Sequence, residues 1–364
     1  MNICFCVDSM GSGGAERVVS NLSHYFAEKG NAVSIIMVST REKKSYYTLN
    51  DKINLIALCE GYNKKVKPFK RVKLLKKAIE CCNPEVVISF LPHVNVYTRW
   101  ALIKKRIPHV VSERNNPYTD PKSRTLKFLK ERVFKKADGC VFQTNDAKKY
   151  FDGKINGKGV VIYNPLNLNW KPEKFDFERE KKVVAVGRLQ PQKNFNLLLN
   201  AFREFSLNCQ DYVLEIYGDG VEKQNLEQKA KDLNIEEKVV FMGNSTTWHQ
   251  QAHKAKMFVL SSDFEGMPNA LLEAMAIGIP SISTDCQIGG PKELIDDGVN
   301  GFLVPVGNYK LLVDKMNVLA KDKELADKFT NENINLDKKL SCEVIGSKWL
   351  EFLEEIVAGK PKVM

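Results

Sequence analysis

Two stretches of the chain carry carboxylates and cations at spacings that could handle a phosphorylated sugar. The sharper runs Ser261-Ser262-Asp263-Phe264-Glu265-Gly266-Met267-Pro268-Asn269-Ala270-Leu271-Leu272-Glu273-Ala274-Met275-Ala276-Ile277-Gly278. An apolar run ends at Ser261 and an acidic loop follows. Pro268 suits the first turn of a helix, where no N–H is needed, and Gly278 stops that helix. Glu265 stands in the loop and Glu273 inside the helix, with seven residues between them. Helical side chains lean toward the N-terminus, so both carboxylates can border one helix start whose N–H groups favour an anion. Carboxylates accept hydrogen bonds from hydroxyls while the helix start holds phosphate. That combination suits the hydroxyls of a sugar, a diphosphate and a ribose. Acids also gather at helix starts because they complement the dipole. This explains one glutamate, but not the Gly-Met-Pro-Asn loop between the two.

The second stretch is Val186-Gly187-Arg188-Leu189-Gln190-Pro191-Gln192-Lys193-Asn194. An Arg and a Lys follow one strand and precede a helix. Arg offers a planar fork to phosphate oxygens and Lys a point charge, so together they could grip a diphosphate without a metal. A third, weaker feature is Gly11-Ser12-Gly13-Gly14-Ala15-Glu16-Arg17 after the first apolar run. Glycines there let the backbone approach a ligand, or simply make a tight turn. It is neither the dinucleotide fingerprint nor a Walker A loop, which argues against a nicotinamide dehydrogenase.

These residues need strands to present them. Apolar runs alternate with helical periodicity along the whole chain. The first half predicts strands at Ile3–Asp8, Ala32–Ser39, Ile53–Leu58, Glu85–Phe90, His109–Ser112, Gly139–Gln143 and Val160–Tyr163. Its helices are Ala15–Glu28, Lys70–Cys81, Val94–Lys105, Pro121–Lys136 and Asp146–Phe151. The second half predicts strands at Val183–Val186, Val213–Tyr217, Val239–Met242, Phe258–Ser261, Pro280–Thr284 and Gly301–Val304. Its helices include Asn196–Phe205, Lys223–Asn234, Thr247–Ala255, Asn269–Ile277, Tyr309–Lys321 and Lys323–Thr330. Strands that read as continuous apolar runs between helices indicate parallel α/β sheets. The proline-bearing stretch Asn164–Pro172 has no period and reads as a linker. The expected organisation is a Rossmann-like domain over 1–165, a linker over 166–180, a second Rossmann-like domain over 181–340 and an amphipathic closing helix over 341–357.

The chain has 364 residues, 43% hydrophobic and 27% charged, which fits two globular domains. No apolar run reaches the ~18 residues of a membrane span, and the N-terminus reads as a buried strand rather than a signal peptide. Nine cysteines without a Cys-x-x-Cys pair argue against a zinc site or a disulfide framework. The net charge of +11 is uneven: residues 1–170 hold 30 Lys/Arg against 14 Asp/Glu, and the remainder is slightly acidic. The cations cluster at Lys64–Lys77 and at Lys122–Lys136. In the second cluster Arg124, Lys127 and Lys130 follow at spacings of three, which would place them on one helical face. No nucleic-acid motif accompanies this charge, so a nucleic-acid partner is not expected.

With its E-x7-E segment from Glu265 to Glu273, the chain resembles the retaining GT-B glycosyltransferases of family 4, of the bacterial surface-polysaccharide type. Gly13–Arg17, Ser112–Asn115 (Ser-Glu-Arg-Asn), and Val186–Leu189 with Lys193 support the resemblance, which spans nearly the whole chain. It implies an α/β GT-B fold, two Rossmann-like domains with parallel sheets facing a central cleft. It implies that Arg188 and Lys193 neutralise the leaving diphosphate, that Glu265 binds hydroxyls of the donor sugar and that Glu273 binds the ribose. Gly266, Met267, Pro268 and Asn269 would line phosphate and sugar. Gly218, Gly243 and Asn244 would border the base, and Gly13 and Gly14 would approach the donor from the first domain. Many relatives carry a His where this chain has Glu113 and Arg114, which makes those two the acceptor-side catalytic candidates. His93, Asn115, Lys127 and Lys130 complete the acceptor side.

The resemblance further implies a transferase that moves a galactose or N-acetylgalactosamine unit from a UDP-sugar, with retention and with neither metal nor cofactor. A nucleotide-sugar epimerase or a sugar phosphorylase would share the fold, and the E-x7-E segment favours transfer. The basic first half suits an anionic membrane surface and an acceptor glycan on undecaprenyl pyrophosphate or another lipid carrier. Each cation near an anionic leaflet adds roughly 1 kcal/mol. The expected location is therefore the cytoplasm, peripheral to the inner face of the cell membrane.

Overall fold

The computed structural model describes residues 1–359 apart from Lys65, Asn169, Lys174 and Asp176. Lys65 of the first basic cluster and the other three, in the expected linker, therefore lie outside the described residues. The chain divides into two compact units: Met1–Pro165 together with the segment from Leu340 onward, and Leu166–Lys339.

The first unit is built on a seven-stranded parallel sheet. Its strands are β1 (Asn2–Val7), β2 (Ala32–Met37), β3 (Ile53–Ala57), β4 (Val86–Phe90), β5 (His109–Glu113), β6 (Gly139–Phe142) and β7 (Lys158–Val161), in the order β3-β2-β1-β4-β5-β6-β7. The order reverses between β1 and β4, the place where open α/β sheets leave a crevice at their carboxyl ends. Ile3, Cys4, Phe5 and Cys6 are fully buried, which is why β1 reads as an unbroken apolar run. Five helices lie between the strands: α1 (Gly14–Glu28), α2 (Pro68–Cys82), α3 (Pro92–Ala101), α4 (Arg124–Lys136) and α5 (Asn145–Tyr150).

Boundaries move where local chemistry outweighs periodicity. Helix α3 starts at Pro92, two residues before the expected Val94, because its first position requires no N–H. Helix α4 starts at Arg124, not Pro121, because the Ser123 hydroxyl caps the Leu126 N–H at 3.4 Å. β7 pairs with β6 over Lys158–Val161, two residues earlier than the apolar run suggested.

The closing helix, Cys342–Ala358, belongs to this first unit and packs on α1. Trp349 is fully buried, its ring stacked near Phe90. Gly346 lies flat on Tyr25, where a Cβ would fall 2.2 Å from the ring. Phe352 covers Gly139 of β6 in the same way. Ion pairs Lys29–Glu343 and Lys158–Glu355 mark the helix's two ends, but they are exposed and worth little. Burial of Trp349 is the main fastening.

The second unit holds a six-stranded parallel sheet: β8 (Glu180–Val186), β9 (Val213–Tyr217), β10 (Val239–Gly243), β11 (Ala255–Leu260), β12 (Ser281–Asp285) and β13 (Phe302–Pro305). Their order is β10-β9-β8-β11-β12-β13, with the reversal between β8 and β11. Helices α6 (Phe195–Asn208), α7 (Lys223–Asp232), α8 (Trp248–Ala252), α9 (Asn269–Ala276), α10 (Tyr309–Lys321), α11 (Lys323–Asn333) and the short α12 (Leu336–Lys339) accompany it. Phe202, Phe205, Met257, Met316 and Phe329 share its core. β11 begins at Ala255 because it pairs back to Glu180 of β8, and this shortens the helix expected over Thr247–Ala255.

Replacing Trp349 by Ala should lower the stability of the first unit by about 3–5 kcal/mol, the range for emptying a large aromatic site. Urea unfolding of the variant should show an early first transition; an unshifted curve would mean the closing helix contributes no fastening.

Candidate active site

In the second unit the two expected segments meet at the sheet's reversal point. Arg188 follows β8, and the turn Pro191–Lys193 leads into α6. Ser261 to Gly266 follow β11 and lead into α9. Lys193 Nζ donates to Glu265 Oε1 at 2.5 Å, and Ser262 Oγ donates to the same oxygen at 2.6 Å. Glu265 is 7% exposed, so its charge depends on these two partners. Backbone contacts fix the two loops to each other. Asp263 N donates to Gln192 O at 2.9 Å, Gln192 Nε2 to Phe264 O at 2.8 Å and Ser261 Oγ to Lys193 O at 2.8 Å. Asn194 Nδ2 adds a bond to Asp263 Oδ1 at 2.7 Å. Arg188 stands beside this lattice, exposed and without an ion pair to any described residue. The site thus offers one cation already committed to a carboxylate and one free for an incoming anion.

Glycines make the close approaches. A Cβ on Gly218 would sit 1.9 Å from the Gly187 carbonyl oxygen, and one on Gly290 only 1.5 Å from that of Gly266. Gly218 N donates to Gly243 O at 2.8 Å, which brings the ends of β9 and β10 together, with Asn244 exposed beyond them. Met267 is buried, and Pro268 precedes α9 at its N-cap without a side-chain cap, with Asn269 as the first helical residue.

Glu273 is 3% exposed and meets a partner that the sequence reading missed. His249 Nε2 lies 2.9 Å from Glu273 Oε2, and the Trp248 ring stacks on the imidazole at 4.2 Å. Glu265 and Glu273 are therefore held by different groups, Lys193 and His249. Only a histidine near the start of an apolar strand hinted at this pairing.

In the first unit the reversal point between β1 and β4 also carries an acid–imidazole pair. His93 Nε2 lies 2.8 Å from Asp8 Oδ1, and Ser39 Oγ donates to the same oxygen at 2.5 Å. The His93 hydrogen bond, aided by Ser39 and Arg71, holds the Asp8 carboxyl below its usual range against the opposing effect of burial. From sequence Asp8 reads only as the end of the first strand, not as a site residue. Gly13 is the N-cap of α1, its carbonyl accepting from Tyr47 Oη at 3.2 Å, and Gly14 opens the helix.

The region after β5 corrects two expectations. Lys130 does not join Arg124 and Lys127 on an exposed face: it is fully buried, donating to Glu113 Oε2 at 2.9 Å and to Asp120 O at 2.6 Å. Glu113 is equally enclosed, with Oε1 accepting from the Arg114 and Asn115 N–H groups at 3.2 and 3.3 Å. Burial pushes its pKa up, opposed by Lys130. Arg114 packs against Phe90, 4.6 Å from the ring centroid, and donates to Asn164 Oδ1 at 2.9 Å; burial pulls its pKa down to about 9. Glu113 and Lys130 thus shape the loop from within, because a buried carboxylate draws in the nearest cation, while Arg114 is half-buried and keeps Nε and Nη2 without a partner among the described residues. Lys127 donates to Tyr118 O at 2.8 Å. On α2, by contrast, Lys70, Lys73, Lys76 and Lys77 are exposed beside Phe69, itself 74% exposed. Among the described residues no helix is long and apolar enough to cross a membrane, and no group of three or more His, Cys, Asp or Glu could hold a metal.

Two parallel α/β units, each with a polar pair at its sheet reversal, match the GT-B fold. Residues 12–170 match the model for glycosyltransferase family 4 and residues 168–336 that for glycosyl transferases group 1. A Campylobacter jejuni α-1,4-N-acetyl-D-galactosaminyltransferase, named for GalNAc-α-(1→4)-GalNAc-α-(1→3)-diNAcBac-PP-undecaprenol, is 30% identical over 98% of this chain and 99% of its own. The lipopolysaccharide 1,6-galactosyltransferase of Salmonella typhimurium is 28% identical over 87% and 89%. The crystal structure of Anabaena HepE with UDP has a TM-score of 0.79 at 18% identity, covering 98% of this chain and all of that one. The chain belongs to the family 4 glycosyltransferases, of the bacterial surface-polysaccharide type.

Exchanging Lys130 for Met strands the Glu113 carboxylate in the interior and should cost the first unit about 3–5 kcal/mol. A second exchange, Glu113→Leu, should return much of that stability. Chemical unfolding of the single and double variants measures both. A single variant as stable as the parent would show that the pair is not needed.

Proposed function

We propose that this glycosyltransferase moves a galactose or N-acetylgalactosamine unit from a UDP-sugar to a growing bacterial glycan on a lipid pyrophosphate carrier. The Lys193–Glu265 pair beside the unpaired Arg188 carries this reading. As the glycosidic bond breaks, negative charge grows on the departing diphosphate, and two cations fixed at that point stabilise it without needing a metal. Glu265 accepts hydrogen bonds from donor-sugar hydroxyls on the oxygen that Lys193 and Ser262 leave available. Glu273, oriented by His249, receives the ribose hydroxyls. Transfer proceeds with retention at the anomeric carbon. The UDP present in the HepE structure and the lipid-linked glycan in the name of the Campylobacter relative support the choice of donor and acceptor.

The exposed cations of α2 and the neighbouring Phe69 support docking on an anionic leaflet, and the proposed place of work is the inner face of the cell membrane. Arg124, Arg132, Lys135 and Lys136 of α4 are exposed and add to this charge, while Lys130 does not.

The test is a screen of UDP-sugars against polyprenyl-pyrophosphate glycans, read as UDP released only when acceptor is present, with mass and linkage analysis of the product. Turnover is expected with a UDP-hexose or UDP-N-acetylhexosamine of galactose configuration, and to persist in EDTA. UDP-sugar consumption without a glycan product would favour an epimerase, and loss in EDTA with rescue by manganese would refute the metal-free reading. In the same assay Glu265→Ala should lower turnover by about 10²-fold or more. For membrane docking, co-sedimentation with anionic vesicles should fall at high salt and on reversing Lys70, Lys73 and Lys76 to Glu. Equal binding to neutral vesicles would remove the membrane from the proposal.

A further inference from the structure

Like the second unit, the first carries a side-chain pair straddling the reversal of its parallel sheet, here a carboxylate and an imidazole. Asp8 is the residue after β1, and His93 sits in the first turn of α3, just beyond β4. Eighty-five residues separate them in sequence, and the β1–β4 pairing brings them to 2.8 Å. The turn that delivers His93 is strained. Leu91 has φ of +76°, a region that a residue with a Cβ seldom occupies, and Pro92 follows it. Strain of this kind persists where the surroundings over-determine it, and it clusters at functional positions.

The tautomer follows from the partners. The Asp8 carboxylate only accepts, so Nε2 of His93 must carry the hydrogen. In the neutral imidazole Nδ1 then presents a lone pair, and no described residue occupies it. The imidazole is about one-third exposed, with Tyr97 edge-on to its ring. The charged groups around it are Asp8, Arg71, which lies near Asp8 and donates to Ser39 Oγ at 3.4 Å, and Asp120. Two carboxylates beside one half-buried cation disfavour a phosphate here. A neutral hydroxyl satisfies both Nδ1 and the spare lone pairs of Asp8.

We infer that Asp8 and His93 form a subsite for a hydroxyl of the acceptor sugar, with Nδ1 of His93 accepting the hydroxyl hydrogen and Asp8 acting as the positioning residue that fixes the tautomer. This rests on the transfer reading above and adds the residues that read the acceptor. Asp8→Asn presents an amide that can reverse the tautomer. His93→Gln keeps a donor toward Asp8 but loses the Nδ1 acceptor. His93→Asn places an amide oxygen near the Nδ1 position.

The experiment measures acceptor KM and kcat from pH 5 to 9 for the parent, Asp8→Asn, His93→Gln and His93→Asn, with UDP affinity by calorimetry as a control on the second unit. Acceptor KM is expected to rise by at least tenfold in Asp8→Asn and His93→Gln, with partial recovery in His93→Asn and unchanged UDP affinity. The parent's acceptor KM should vary with pH across this range, and that dependence should be absent from both His93 variants. An acceptor KM and pH profile unaltered by the His93 exchanges would overturn the subsite while leaving transfer intact. Inhibition of the parent by inorganic pyrophosphate that His93→Gln relieves would also overturn it, by making the site a phosphate site. A parent that binds UDP and transfers to no acceptor would overturn both the transfer reading and the subsite.

Discussion

A carboxylate taken out of water must find a cation or a set of donors, and that constraint organises the second unit. Glu265 is almost fully enclosed and meets its requirement with Lys193 and Ser262. Lys193 comes from the loop after β8 and Glu265 from the loop after β11, so the pair can form only where those strands are neighbours. The crossover that makes them neighbours also reverses the strand order and opens the crevice. Removal of one partner would leave a buried charge uncompensated, a far larger loss than the net worth of the pair. The backbone bond between Asp263 and Gln192 and the bond from the Gln192 side chain to the Phe264 carbonyl follow from holding those loops in register. The close glycine contacts at Gly218 and Gly290 let the surrounding loops approach without a Cβ in the way.

The same physics gives a different result after β5. Glu113 is as buried as Glu265, but its cation, Lys130, has no exposure at all, and both carboxylate oxygens are occupied. A pair sealed on every side sets a loop; a pair at the mouth of a crevice, with an unpaired arginine beside it, is available to a ligand. Burial and the number of vacant lone pairs distinguish the two roles, since the residue types are the same.

Much of the architecture was legible because the central strands β1, β4, β5, β6 and β11 are short apolar runs buried on both faces. The E-x7-E segment and the Arg188–Lys193 turn were legible for a related reason: their chemistry is local in sequence. What was not legible lies between distant segments. Asp8 meets His93, and His249 meets Glu273, through strand order and helix packing that spacing alone does not specify. Helical spacing placed Lys130 with Arg124 and Lys127, yet a neighbouring strand's glutamate drew it inward, and period-three reasoning contains no term for that attraction. The first basic cluster fared better, because α2 buries only Leu75 and Ile79 and leaves its lysines outside.

The central claim is that the reversal point of the second sheet grips a nucleotide diphosphate through Arg188 and Lys193. Calorimetric titration of UDP into the parent enzyme and into Arg188→Ala tests it most directly, because Arg188 is exposed and its loss leaves the buried Lys193–Glu265 pair in place. A charge-assisted contact to phosphate contributes about 1.5–3 kcal/mol, so the variant should bind UDP at least tenfold more weakly while uridine, which lacks the phosphates, binds both proteins alike. Equal UDP affinity in parent and variant would contradict the claim.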